Sequence, residues 1–172
     1  MAVQLVIVGL PGAGKSSVGA AVANRLGLPF LDSDDLVHEM TGRPVGEIIA
    51  DDGEAAFREI EAAAILDTLI DFGGVLALGG GAVTTAAVRQ ELRDSAVPVA
   101  LLTADQPTLV ARIGNTQHRP LLAGDTAARL LELESQRAEL YREVATISID
   151  TSALSIDEVA AQLANQLKPT QP

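Results

Sequence analysis

The eight residues Gly9-Leu10-Pro11-Gly12-Ala13-Gly14-Lys15-Ser16 follow the apolar run Val3 to Val8 and precede an alanine-rich helical stretch. A G-x-x-x-x-G-K-[ST] phosphate loop therefore lies between a strand and a helix, the context in which its chemistry works. Its glycines let the backbone curl until several N–H groups point inward at an anion, and the helix starting near Lys15 adds its positive N-terminal end. Lys15 is expected to reach the β- and γ-phosphates of a nucleotide, and the Ser16 hydroxyl to hold Mg²⁺. Lysine is otherwise scarce, the only other being Lys168. Taken alone, a glycine-rich β–α turn with a solvated lysine is the competing explanation, and the flanking strand and helix weigh against it.

The rest of the chain continues the alternation. Strand-like apolar runs occur at 4–8, 29–32, 75–78, 97–103 and 146–150. Between them, 15–26, 34–41, 54–71, 84–94, 106–113, 126–143 and 156–167 carry apolar residues recurring at three and four, the helical period. Apolar strands joined by helices pair in parallel and are buried on both faces, which predicts an α/β fold, a three-layer α/β/α sandwich. A length of 172 residues suits one domain, with no linker or repeat. Ser155-Ile156-Asp157-Glu158 has the pattern of a capping box, and 169–172 are expected to fray.

Composition narrows the partners. A formal net charge of −11 argues against wrapping a nucleic-acid backbone, which needs clustered Lys and Arg, so an anionic ligand must meet local arginines. With no cysteine there is no disulfide frame and no thiolate metal site. Only Phe30, Phe57, Phe72 and Tyr141 are aromatic, so the core is mostly aliphatic and burial is the default for each phenylalanine. The N-terminus lacks a basic n-region, and the uncharged stretch 72–88 is too short and glycine-rich for a membrane span, so a cytoplasmic protein is expected.

Ligands of an open parallel sheet gather beyond the carboxyl ends of its strands, so the residues after each apolar run matter most. Asp32-Ser33-Asp34-Asp35 follows the second run; its carboxylates could orient Mg²⁺ through water and accept a hydroxyl proton, or simply cap the next helix. Given the phosphate loop, a role for Asp34 is favoured, since phosphoryl transfer needs a carboxylate to orient the attacking hydroxyl. Gly79-Gly80-Gly81 follows the third run, where backbone N–H groups can approach a ligand closely or the chain merely turns. On the 54–71 helix, Phe57, Arg58 and Glu61 lie near one face; without other information an intrahelical ion pair of Arg58 with Glu54 or Glu61, worth about 0.2–0.5 kcal/mol, accounts for them.

Residues 114–124, with Gly114 and Gly124 at the ends and a central Arg119-Pro120, read as a mobile lid whose guanidinium closes over the transferring phosphate. His118 beside it receives no role. Arg137 has a ready explanation as a solvated helix arginine paired with Glu134, and Arg112 as a surface residue or one lying over a nucleotide base.

Together these residues resemble the shikimate kinase family, in order and spacing, along nearly the whole chain. The family's phosphate loop resembles Gly9–Ser16, its Asp-x-Asp pair Asp32 and Asp34, and its acidic-Phe-Arg helix Glu54, Phe57, Arg58 and Glu61. Its Gly-Gly-Gly-Ala-Val segment resembles Gly79–Val83, its lid Arg-Pro-Leu-Leu Arg119–Leu122, and its late Arg-x-x-Leu-Tyr Arg137–Tyr141.

The resemblance implies a five-stranded parallel sheet of the nucleoside-monophosphate-kinase type. It implies one kinase domain over 1–168, a lid near 114–124 and a substrate-binding segment near 33–61. It further implies transfer of the ATP γ-phosphoryl group to the 3-hydroxyl of shikimate, yielding 3-phosphoshikimate and ADP for aromatic amino-acid synthesis, by a monomer. On this reading Asp34, Lys15, Asp32 and Arg119 are catalytic, and Gly12, Ala13, Gly14, Lys15, Ser16, Ser17, Arg112 and Arg119 hold ATP. Ser16, with Asp32 through water, holds Mg²⁺. Arg58 and Arg137 bind the shikimate carboxylate, with Asp34, Gly79, Gly80, Gly81, Phe57 and Glu61 completing the substrate site. The segment Asp150-Thr151-Ser152-Ala153-Leu154 offers no basic residue near the adenine, unlike some members of the family, which shifts the base contacts to Arg112 and backbone. Gluconate-kinase-like and nucleotide-kinase-like relatives share the loop and lid but do not combine the arginine after Phe57, the triple glycine and the late Arg-x-x-Leu-Tyr.

Overall fold

A computed structural model describes residues 3–114 and 125–167. Its five strands are β1 (Leu5–Val8), β2 (Phe30–Asp32), β3 (Val75–Ala77), β4 (Val99–Thr103) and β5 (Ile147–Asp150). They form one all-parallel sheet in the order β2-β3-β1-β4-β5. The helices are α1 (Lys15–Leu26), α2 (Ser33–Thr41), α3 (Val45–Asp52), α4 (Glu54–Asp71), α5 (Ala86–Asp94), α6 (Gln106–Ile113), α7 (Thr126–Val144) and α8 (Ile156–Leu167).

The central strand shows why the fold has three layers. All four β1 residues are buried, and successive side chains leave opposite faces of a strand. Leu5 and Ile7 join a core with Val18 and Val22 of α1 and Val159 and Leu163 of α8. Val6 and Val8 join a second core with Ile65 of α4, Val88 of α5 and Tyr141 and Val144 of α7. Each such aliphatic side chain contributes roughly 1.5–3 kcal/mol by leaving water, so both faces hold their helices.

Parallel pairing sends the strand ends to one edge. The register aligns Ile7, Ala77 and Asp32 in one row, so the phosphate loop, the triple glycine and the acidic cluster emerge side by side. Gly12 and Gly14 turn the loop at φ of 84° and 91°, a left-handed backbone that side chains rarely adopt. At Gly12 a Cβ would also stand 3.0 Å from the Leu109 carbonyl oxygen.

Several expected elements need correction at their ends. The five strands begin or end one or two residues inside their apolar runs, although flanking residues such as Gln4, which donates to the Gly74 carbonyl at 2.9 Å, and Leu78, which donates to the Ile7 carbonyl at 3.0 Å, still bond across strands. The α2 helix begins at Ser33 instead of Asp34, since Asp32 serves as its cap. The expected 84–94 helix divides into a 3-10 turn at Ala82–Thr84 and α5 from Ala86. The α7 helix continues to Val144. The α3 helix was not expected at all: it is eight residues long, follows Pro44, contains Gly46 and stops at Gly53. Its Ile48 is fully buried against Val37, Phe57 and Ala64, so packing sustains a helix that intrinsic propensity would not. The capping box at α8 forms as expected, with Ser155 N–H donating to Glu158 at 2.8 Å and Glu158 N–H donating back to Ser155 Oγ at 3.2 Å. Residues 115–124 of the segment expected to form a lid, including Arg119, and the tail from 168 lie outside the described residues.

Candidate active site

Two clefts meet at the phosphate loop. One, of about 340 Å³, runs along Gly12 to Val18 and is closed by Arg112, Thr151, Leu154 and Val159. The other, of about 220 Å³, is lined by Asp32, Asp34, Arg58, Glu61, the three glycines and Arg137. Lys15 and Ser16 line both.

On the loop side, Lys15 folds back to donate to the Leu10 carbonyl at 3.0 Å. Gly14, in left-handed backbone, caps α1 with no side chain, so the helix end faces the cleft. Ser17 is exposed beside it, whereas the Ala13 side chain is buried in the loop. Arg112 is not a free surface arginine: it donates to Thr151 Oγ1 at 2.9 Å and to the Thr151 carbonyl at 2.8 Å. All these acceptors are neutral, and the Thr151 hydroxyl passes a bond to the Thr103 carbonyl at 3.0 Å. The segment after β5 thus enters the site through Thr151, which fixes Arg112.

Asp32 caps α2, as one of its two explanations has it, and also reaches the phosphate loop. Its Oδ1 accepts the Asp34 N–H at 3.0 Å and caps α2, while its Oδ2 accepts the Ser16 hydroxyl at 2.5 Å. Capping and the link to the phosphate loop use different oxygens. Ser16 and Asp32 thereby present two hard oxygen donors side by side, the chemistry Mg²⁺ selects when phosphates and water supply its remaining positions. No cluster of three or more His, Cys, Asp or Glu suited to a metal exists among the described residues.

The second cleft contains charges the sequence alone explained as surface pairs. Arg137 is 5% exposed, which overturns its explanation as a solvated helix arginine. Arg58 donates to Glu61 Oε2 at 2.6 Å and to Glu54 at 3.1 Å, so the intrahelical pairs do form. They form in a buried setting, since Glu61 is 1% exposed, and its Oε1 has no hydrogen-bond partner among the described residues. Burial pushes the Glu61 carboxyl up to about 7 against the pull of Arg58, and the Asp34 charge pushes the same way. Burial would lower Arg58, but the charge and hydrogen bond of Glu61 more than offset it and hold the guanidinium charged. Phe57, buried among Val37, Ile48 and Ala64, supports this guanidinium 4.9 Å from its ring centroid.

The triple glycine is required by neighbours as much as by any ligand. A Cβ on Gly79 would lie 2.6 Å from Glu61 Oε1 and 2.9 Å from Asp34 Oδ1, and one on Gly81 would overlap the Arg58 guanidinium. Two residues outside the expected site touch this strip: Ser33, whose Oγ accepts the Gly79 N–H, and Tyr141, whose hydroxyl donates to the Gly80 carbonyl. Their sequence signals were faint: a serine inside the Asp-x-Asp pair, and a tyrosine one turn after Arg137.

Comparisons with known proteins agree with this architecture. A shikimate kinase from Mycobacterium avium is 42% identical over 171 residues, covering 99% of this chain and 96% of its own. The structure of a shikimate kinase from Acinetobacter baumannii in complex with shikimate superposes with a TM-score of 0.88 at 34% identity, covering 95% of this chain and 94% of that one. A gluconokinase from Sinorhizobium meliloti has the same fold at lower similarity, with a TM-score of 0.62 and 27% identity over 95% of this chain and 94% of that one. The sequence profile of shikimate kinases matches residues 11–168, and with a relative this similar along its full length the chain belongs to the shikimate kinase family, whose members are ATP-dependent kinases.

Proposed function

We propose that this shikimate kinase seats ATP along the phosphate loop and shikimate in the acceptor cleft, and joins them at Lys15 and Ser16. The observation that carries this reading is that these two residues line both clefts while Asp34, Arg58 and Arg137 line only the second. Arg58 and Arg137 take the carboxylate of shikimate, a planar anion matched by guanidinium geometry. Gly79, Gly80 and Gly81 supply close backbone, and Glu61 and Phe57 hold Arg58 in place.

Asp34 orients the 3-hydroxyl and accepts its proton as the new bond from that oxygen to the γ-phosphorus forms. The bond from the γ-phosphorus to the bridging β–γ oxygen breaks, leaving ADP and 3-phosphoshikimate. Lys15 neutralises charge on the transferring oxygens, and fixed placement of both reactants provides much of the acceleration. Ser16 directly, and Asp32 through water, would hold Mg²⁺, which supplies further charge neutralisation on the phosphates. Gly12, Ala13, Gly14, Ser17 and Arg112 complete the nucleotide side. Arg119, outside the described residues, is assigned to the ATP phosphates by family resemblance alone.

We assign the protein to one domain acting as a monomer in the cytoplasm; no helix among the described residues is long and apolar enough to cross a membrane. A coupled assay of ADP release with Mg²⁺-ATP tests the reading. Release that depends on shikimate, and not on gluconate or a nucleoside monophosphate, is expected; release indifferent to shikimate overturns it.

A further inference from the structure

Glycines have no side chain by which packing can orient them, yet four of the six backbone N–H and C=O groups of the strip at 79–81 are held. Ser33, fully buried at the start of α2, accepts the Gly79 N–H at 2.8 Å. The Gly79 carbonyl accepts the Ala82 N–H at 3.0 Å. Tyr141, 3% exposed on α7, donates to the Gly80 carbonyl at 2.5 Å. The Gly81 carbonyl accepts from the Thr84 N–H at 2.9 Å and from the Thr84 hydroxyl at 2.7 Å. The Gly80 and Gly81 N–H groups have no acceptor among the described residues; both glycines line the acceptor cleft, and of the two Gly80 is partly exposed while Gly81 is buried.

We infer that Ser33 and Tyr141 are positioning residues for the acceptor: one hydroxyl from α2 and one from α7 hold the glycine strip from two sides, so that the Gly80 N–H stays presented to the substrate. The inference rests on the reading that this cleft takes shikimate. The two hydroxyls come from the same helices that bring Asp34 and Arg137, so the strip is tied to both ends of the acceptor site. Without them a three-glycine segment regains conformational freedom that each binding event must then remove. Burial pushes the Tyr141 phenol up to about 12 against both the charge of Arg137 and its hydrogen bond to the phenol oxygen, so the hydroxyl remains a donor to Gly80 throughout the neutral range, and Ser33→Ala, which leaves Arg137 untouched, isolates the strip.

Tyr141→Phe keeps the ring in its core and removes only the hydroxyl, while Ser33→Ala independently removes the other bond. Each is expected to raise the shikimate KM by about 10-fold, the worth of one buried hydrogen bond, and to leave the ATP KM within about twofold. Because both act on one strip, the double variant should lose less than the product of the two. A purely structural role would lower Tm and move both KM values together, or neither. An unchanged shikimate KM in both variants, or equal rises for both substrates, overturns the inference while the wild type still phosphorylates shikimate. A wild type that does not phosphorylate shikimate overturns the substrate reading and this inference with it. Should Tyr141→Phe not fold, the KM pair of Ser33→Ala decides.

Discussion

Glu61 gives one carboxylate oxygen to Arg58, at 2.6 Å, and buries the other without a hydrogen-bond partner among the described residues. Half of an ion pair is thus left unsatisfied in the floor of the acceptor cleft. The pair is more than a stabilising contact: a buried carboxylate beside Asp34 costs free energy, and what it provides is a fixed guanidinium.

The first prediction concerns pH. Burial raises the Glu61 carboxyl from an ordinary 4.5 to about 7, so between those values the folded protein binds more protons than the unfolded chain. The stabilisation is fully present below about 4.5 and is lost as pH rises through 7, amounting to roughly 3 kcal/mol at full extent. Denaturant titrations of the wild type and Glu61→Gln at pH 5 and pH 8 should therefore show the difference between the two proteins changing in the variant's favour at the higher pH. A difference that does not change with pH contradicts it.

Arg58→Ala should raise the shikimate KM by about 10- to 100-fold, the worth of charge-assisted hydrogen bonds to a carboxylate, and leave the ATP KM nearly unchanged. Arg58→Lys should recover only part of the loss, because an ammonium cannot reproduce the planar fork. Equal effects on the two substrates would count against the carboxylate assignment.

Gly81→Ala places a methyl group where the Arg58 guanidinium lies, the movable end of a flexible side chain. The protein should fold, with Arg58 displaced and the shikimate KM raised about 10-fold or more. Gly9→Ala sets the contrast, for its Cβ would run into the Leu102 backbone carbonyl at a φ of 151°. That variant should lose stability outright, and thermal melts of both proteins separate the two outcomes.

Asp32→Asn retains an oxygen able to cap α2 but weakens the pairing with Ser16. The Mg²⁺ concentration needed for half-maximal rate should rise about 10-fold, with Tm nearly unchanged. Asp32→Ala should show the same shift and also lose about 1 kcal/mol of stability with the cap. Magnesium titrations followed by activity check the first part, and melting curves the second.

Arg112→Ala should raise the ATP KM and spare the shikimate KM, since Arg112 lines only the nucleotide cleft. Thr151→Val removes its side-chain partner and should move the ATP KM in the same direction by a smaller factor.

Much of this was legible in the sequence because it is local. The α1, α4, α6 and α8 helices span the residues their periodicity predicts, and the strand–loop–helix at Gly9–Ser16 needs only turn chemistry and a helix end. The α3 helix was not legible, because Pro44 and Gly46 argue against it locally and only Val37, Phe57 and Ala64 around Ile48 argue for it. Arg58 and Glu61 were correctly paired at helical spacing, but their burial was invisible.

The sequence by itself determined the five strands and every helix but α3, that a phosphate loop joins the first strand to the first helix, and, through family motifs, which side chains belong together. Only the tertiary structure decided that Asp32 divides its oxygens between a helix cap and Ser16, that Arg137 is buried, and that Ser33 and Tyr141 grip the glycine strip. The reason is range: periodicity and capping depend on residues up to four apart. The contact of Ser16 with Asp32 spans 16 positions and that of Gly80 with Tyr141 spans 61, and both depend on a parallel sheet that sends distant strand ends to one edge. The phosphate loop that limited the fold acquired its second half only when the chain had closed around it.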